Sequence, residues 1–151
     1  MIIERVCALA ECCHKKHYSP GNGVSEQTKK AQRVCREWQQ RVLKEFPSAR
    51  FQKEVPLDVR GARQRIDLVD WVTRTAFELK VSPNNIHMEV YRDVFKALVY
   101  NKRNPHKKLR HLVFIAPATG IDSLGTEFPK DVAAITQGLK MKFSLAKIYP
   151  A

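Results

Sequence analysis

Apolar residues recur at three- and four-residue steps through two N-terminal segments. In residues 2 to 17, Ile2, Ile3, Val6, Leu9, Ala10 and Cys13 fall along one side, which predicts a short amphipathic helix. The SPGNG stretch from Ser19 to Gly23 interrupts it, since Pro and closely spaced Gly break helices and mark turns. Residues 1–24 therefore read as an N-terminal helical appendage and residues 25–151 as the main domain. Ser25 is placed to cap a second helix over residues 26 to 46. There Ala31, Val34, Cys35, Trp38, Val42 and Phe46 form one stripe, until Pro47 and Ser48 end it.

The period then shortens. Arg50 to Leu57, Gln64 to Val72 and Thr75 to Val81 read as three strands, rich in β-branched and aromatic residues. The last two suggest a hairpin through Thr73 and Arg74, a short connection without the Asn-Gly signal of a secure turn. After Ser82-Pro83-Asn84-Asn85, with Asn85 as a cap, a helix from Ile86 to Asn101 turns Val90, Val94 and Leu98 inward, with Phe95 and Val99 beside them. The unbroken apolar run Leu112-Val113-Phe114-Ile115-Ala116 predicts a central strand buried on both faces. A helix over Pro129 to Lys140 and a strand over Phe143 to Tyr149 complete the order (α)αβββαβαβ, an α/β (α+β) fold with a mixed sheet flanked by helices. There is no internal repeat and no low-complexity tract.

The 151 residues suit one sizeable core, and 44% hydrophobic with 28% charged residues is ordinary for a globular chain. The charge balance is not ordinary: 27 Lys+Arg against 15 Asp+Glu gives +12, with a pI near 9.8. That excess points to a polyanionic partner through counterion release, though other basic protein classes share it. No stretch approaches the roughly 20 apolar residues of a membrane span, and the N-terminus lacks a basic leader region, so the expectation is a cytoplasmic protein. Cys7, Cys12, Cys13 and Cys35 all lie in the first quarter, where they cannot brace the whole fold, and reduced thiols are expected. Zinc at Cys7, Cys12, Cys13, His14 and His17 lacks the usual ligand spacing. The favoured reading there is an amphipathic helix whose cysteines pack as small hydrophobes.

The chemistry is concentrated in Arg65-Ile66-Asp67-Leu68-Val69-Asp70 and Glu78-Leu79-Lys80. Residues two apart in a strand share a face, so Glu78 and Lys80 project together while Leu79 points away. A hairpin that brings Asp67 alongside makes two carboxylates and an ammonium converge. Neighbouring carboxylates repel, and a hard cation such as Mg²⁺ relieves that repulsion. Such a centre suits phosphodiester hydrolysis, with Lys80 orienting or deprotonating the attacking water. Asp70 reads as the solvent end of its strand, with a supporting role at the site as the alternative.

In motif and in element order the chain resembles the PD-(D/E)XK nuclease superfamily, the restriction-endonuclease-like fold, over roughly residues 25 to 116. Ile66-Asp67 stands for Pro-Asp, and Glu78-Leu79-Lys80 for Glu-X-Lys. The resemblance implies an αβββαβ core with Asp67, Glu78 and Lys80 catalytic. It also implies Mg²⁺, with Mn²⁺ as a substitute, on Asp67, Glu78 and the Leu79 backbone carbonyl. A further acid from the first helix of that core is implied as catalytic residue and metal ligand, among Glu26, Glu37 and Glu45. Glu37 is the choice, with Glu45 competing. The next helix often presents a polar residue to the site or substrate. No Gln occurs there, leaving Glu89, Tyr91, Arg92 and Lys96, of which Lys96 is selected for DNA contact.

Phosphate contacts are also assigned to Arg60, Arg63 and Arg65 before Asp67, and to Lys102, Arg103, Lys107 and Lys108 in the basic connector, where Arg110 follows. The expected activity is metal-dependent endonuclease action on DNA, with RNA as an alternative substrate. Cutting both strands of a duplex needs two centres, hence a homodimer or a partner subunit. Two alternatives are a catalytically inactive nuclease-like binding module and a toxin nuclease acting on DNA or RNA.

Overall fold

The computed structural model describes residues 1–19, 23–58 and 63–149. Five strands form one mixed sheet in the order β1-β2-β3-β4-β5: β1 Phe51–Pro56, β2 Arg65–Asp70, β3 Thr75–Leu79, β4 His111–Pro117 and β5 Lys142–Ile148. The first three are antiparallel neighbours, and β3, β4 and β5 run parallel. Parallel neighbours require crossovers. Helix α3 (Ile86–Arg103) supplies the first, and α4 (Ala118–Asp122) with α5 (Glu127–Gly138) the second. Helices α1 (Ile2–His17) and α2 (Gly23–Glu45) cover the other face.

The sequence pattern accounts for this layering. In β4, Leu112, Phe114 and Ala116 enter the core beneath α3 and α5, while Val113 and Ile115 enter the core beneath α1 and α2. A strand apolar at every position is thus buried on both sides, as expected for a central strand. Two starts differ from expectation. Ser25 lies inside α2, which begins at Gly23, so it is not a cap. Helix α5 begins at Glu127, before Pro129, because proline is tolerated in a first turn where its missing N–H has no partner to lose. The five-residue α4 was not foreseen. It lies close to the β3–α3 connection: a Cβ on Gly120 would come within 2.7 Å of Ile86 Cγ1 and 2.9 Å of the Pro83 carbonyl.

The largest correction concerns α1. Expected as an appendage, it is a layer of the core: Val6, Leu9, Ala10 and Cys13 are buried with Val34, Trp38 and Val42 of α2. The Trp38 indole donates to the Val6 carbonyl at 3.1 Å, the His14 ring meets the Val81 carbonyl at 3.0 Å, and the Tyr149 N–H donates to Glu11 at 2.9 Å. The buried residues of α1 and α2 share one core with Leu68, Phe77, Val113 and Ile115 of the sheet. Leu9→Ala is expected to cost about 2–5 kcal/mol, read as a lower urea midpoint. A change below 0.5 kcal/mol would mean that α1 is peripheral.

Candidate active site

Strands β2 and β3 pair from Asp70↔Thr75 to Leu68↔Phe77, and there the ladder stops. The next facing residues are Asp67 and Glu78. In place of backbone bonds, Glu78 Oε1 accepts from the Asp67 N–H at 2.9 Å, and Asp67 Oδ2 accepts from the Leu79 N–H at 2.9 Å. Each carboxylate thus satisfies a backbone donor of the opposite strand where the strands part, a fork that buried N–H groups require. Glu78 is 1% exposed and Asp67 half-buried.

Helix α3 closes one side of the fork. Glu89, Asp93 and Lys96, at steps of four and three, share one face of it. Lys96 Nζ donates to Glu78 Oε2 at 2.8 Å and to the Arg65 carbonyl at 2.7 Å. Lys80, just beyond β3, lies 3.0 Å from Glu89 and 3.2 Å from Asp93. Asp93 is fully buried, and among the described residues neither of its carboxylate oxygens accepts a hydrogen bond. Lys80, Lys96 and Arg92 flank it at 3.2, 3.4 and 3.8 Å.

These surroundings set the protonation of the site. Burial, then the neighbouring Asp67 and Asp93 charges, push the Glu78 carboxyl well above the usual range. Burial also raises Asp67, against the Leu79 N–H and the two lysines. For Lys80 burial acts downward, but Asp93, Glu78, Asp67 and Glu89 outweigh it and hold the amine above its ordinary value. Lys96 is raised in the same way, by Glu78 first and then Asp93. Both lysines are ammonium ions in this environment. Lys80 and Arg92 also line a cleft of 310 Å³ beside Gln32 and Cys35 of α2.

Of the residues selected from sequence, Asp67, Glu78 and Lys80 are brought together. The helix acids are not. Glu37 pairs with Lys16 at 2.9 Å and with His17, and Glu45 with Arg5 at 2.5 Å, both on α1. Glu26 pairs with Lys29. With α1 packed against α2, Glu37 and Glu45 serve the helix interface, while Glu26 pairs within α2 itself. The α2 residue that reaches the fork is Gln39, which donates to the Asp67 carbonyl at 2.8 Å and to Glu54 at 3.0 Å. Glu54 stands across β1 from Asp67 with φ at 52°, a left-handed conformation costly for a non-glycine residue. A polar Gln within an amphipathic helix and the Glu89/Asp93/Lys96 stripe were the sequence signals for these additions.

Lys96, selected for DNA contact, is instead a buried partner of Glu78, 7% exposed. Arg63 and Arg65 are exposed near the fork, and Arg60 lies outside the described residues. The basic connector leads away from the fork. His111 pairs with Thr75, at the end of β3 away from Glu78, roughly 10 Å along the strand at about 3.3 Å per residue. Lys107 rests 3.9 Å from the Trp71 ring centroid at the hairpin, Arg103 pairs with Asp58 at 2.7 Å, and Lys102 and Lys108 are exposed. Lys107 therefore lies away from the fork, whereas Arg103 lines a groove with Lys96. Asp70 is not a solvent end either: it is fully buried, with Arg50 Nε and Nη2 each at 2.9 Å.

The N-terminal thiols and imidazoles are dispersed. Cys13 is buried and Cys12 exposed, His14 faces Val81 and His17 faces Glu37. Burial pushes the Cys7 and Cys13 thiols up to about 11, so they are unreactive near neutral pH. Among the described residues no helix is long and apolar enough to cross a membrane. Comparison of the chain with protein-family models, with curated proteins and with solved structures yields no match.

Proposed function

We propose that this chain is a divalent-metal-dependent endonuclease that hydrolyses phosphodiester bonds in DNA, on a core of the restriction-endonuclease type. The observation that carries the reading is the fork at Asp67 and Glu78, with Lys80 held as an ammonium beside it. The αβββαβ order, the mixed sheet and the net charge of +12 support it.

The donors fit a hard cation. Asp67 Oδ1 has no hydrogen-bond partner among the described residues, while Oδ2 is bound to the Leu79 N–H. Burial raises both carboxyls, with the Asp67 charge adding to the rise of Glu78, and a bound positive charge would relieve both. Among the described residues no three His, Cys, Asp or Glu side chains form a ready-made cage. Mg²⁺ needs none, since it uses one or two carboxylates and keeps waters and substrate oxygens. Asp67, Glu78 and the Leu79 carbonyl would hold it. When bound, such an ion supplies a water of lowered pKa and a counter-charge for the phosphoryl oxygens.

The protein's own groups do the remaining work. Lys80, held as an ammonium beside its carboxylates, orients the incoming water and offsets negative charge developing on phosphorus. Arg92 reaches the same cleft and can bind a phosphate oxygen in bidentate fashion. Duplex cleavage calls for two copies, a partner subunit or successive nicks. Supercoiled plasmid is expected to be nicked or linearised with Mg²⁺ or Mn²⁺ and left intact with EDTA. No product from DNA would remove this reading, and product from RNA alone would reassign the substrate.

A further inference from the structure

We infer that Lys96 is the resident counter-cation of the Asp67–Glu78 fork, and that its ammonium must leave Glu78 before a divalent ion can bind there. The inference rests on the metal-dependent reading above and adds a residue-level gate to it.

Both Glu78 oxygens are already engaged: Oε1 by the Asp67 N–H and Oε2 by Lys96. The carboxylate is 1% exposed, so Lys96 stands on the oxygen that a metal would need. The charge balance argues the same way. Four carboxylates of the cluster, Asp67, Glu78, Glu89 and Asp93, face three cations, Lys80, Lys96 and Arg92. With all four ionised, as ligation of a divalent ion at the fork requires, that leaves one excess negative charge. A divalent ion added beside Lys96 would overshoot to a positive excess, whereas an ion that replaces Lys96 brings the cluster to neutrality. Like charges a few ångströms apart in a poorly solvated site repel strongly, so displacement is the favourable course.

Lys96 is also built to move. Two of its contacts are short, to Glu78 and the Arg65 carbonyl, but the third, to Asp93, is 3.4 Å long. Among the described residues Asp93 accepts no hydrogen bond from the ammonium, only this looser ion pair. On its outer side the Lys96 side chain lines a groove of 360 Å³ with Gln64, Arg92, Phe95 and Arg103. An ammonium released from Glu78 enters this groove beside Arg92, paired with Glu89, and Arg103, paired with Asp58, where a phosphate of the nucleic-acid backbone would offset the added positive charge. Ion binding at the fork and phosphate binding in the groove are thereby coupled through one side chain.

The test measures ion binding directly. Calorimetric titration with Mn²⁺ and with Mg²⁺ is run on wild type, Lys96→Gln and Asp67→Asn. Glutamine keeps a donor for Glu78 but removes the competing charge, so Lys96→Gln is expected to bind the ions at least about tenfold more tightly, about 1.4 kcal/mol. Asp67→Asn is expected to weaken binding, which locates the ion at the fork. A second measurement uses the wild type alone: amine-reactive labelling of Lys96, followed by mass spectrometry, is expected to rise several-fold at saturating Mg²⁺. If Lys96→Gln fails to fold, the labelling decides. Equal affinity in wild type and Lys96→Gln, or labelling indifferent to bound ion, overturns the gate while leaving the metal site standing. Absence of ion binding in both proteins overturns the metal site and the gate together.

Discussion

Lys80→Ala slows Mg²⁺-dependent plasmid cleavage by about 10²–10³-fold, the loss typical of removing one preorganised charge from a transition state. The side chain is 15% exposed and lies 3.0 Å from Glu89 and 3.2 Å from Asp93, so it is fixed before any substrate arrives. Its positive charge is secured by those acids together with Glu78 and Asp67. The loss therefore falls on turnover rather than on substrate affinity, and kcat carries most of it. Removing Lys80 also leaves the buried Asp93 to the longer ion pairs with Lys96 and Arg92. Assays belong well below the melting temperature of the variant, checked by circular dichroism. Equal cleavage rates for wild type and a folded Lys80→Ala would take the residue out of the mechanism.

Asp70→Ala destabilises the fold by about 3–5 kcal/mol, the usual cost of stranding one partner of a buried ion pair. Asp70 is fully buried and receives Arg50 through two bonds at 2.9 Å, the Val72 N–H at 3.1 Å and the Thr73 hydroxyl at 2.8 Å. It ties the end of helix α2's connection to β1 and closes the β2–β3 hairpin in one step. That hairpin sets the register which places Asp67 opposite Glu78. The variant should accordingly lose fork geometry as well as stability, seen as a lower urea midpoint and slower cleavage at a temperature where it remains folded. An unchanged midpoint would contradict this role.

The pH dependence carries a sign. Burial alone would raise Asp70, but the bonds from Arg50, Thr73 and Val72 hold its carboxyl below the ordinary value. Its contribution is full above the unfolded value of about 3.9 and is lost as pH falls through the folded value. Asp67 and Glu78, both raised, act oppositely. Their contribution is full below about pH 4, near the unfolded carboxyl values, and is lost as pH rises through their folded values. A metal-free protein is thus weakened at the fork toward neutral pH, where an ion that binds there adds the most stability.

Hydrophobic periodicity and turn chemistry were local signals, and they located the strands and principal helices to within a few residues. The unbroken run at Leu112 to Ala116 identified a central strand because burial on both faces leaves no polar alternation. Asp67 and Glu78-Leu79-Lys80 could be grouped for the same reason: their convergence depends on strand parity and one short hairpin. The acid from α2 could not be found this way. Its assignment turned on which side of α2 was free, and that depended on α1, whose segment reads as separable once SPGNG follows it. With α1 in place, Glu37 and Glu45 are engaged by Lys16, His17 and Arg5, and Gln39 faces the fork.

By itself the sequence determined the alternation that buries β4, the parity that puts Glu78 and Lys80 on one side, and the excess of positive charge. Each depends on neighbours a few residues apart, where backbone geometry leaves little choice. Only the tertiary structure decided that α1 is core, that Asp93 and Lys96 join the site, and that Lys107 of the basic connector lies at the other end of β3 from Glu78. Those outcomes depend on which elements pack together, and packing is settled by burying shared apolar surface across long sequence separations.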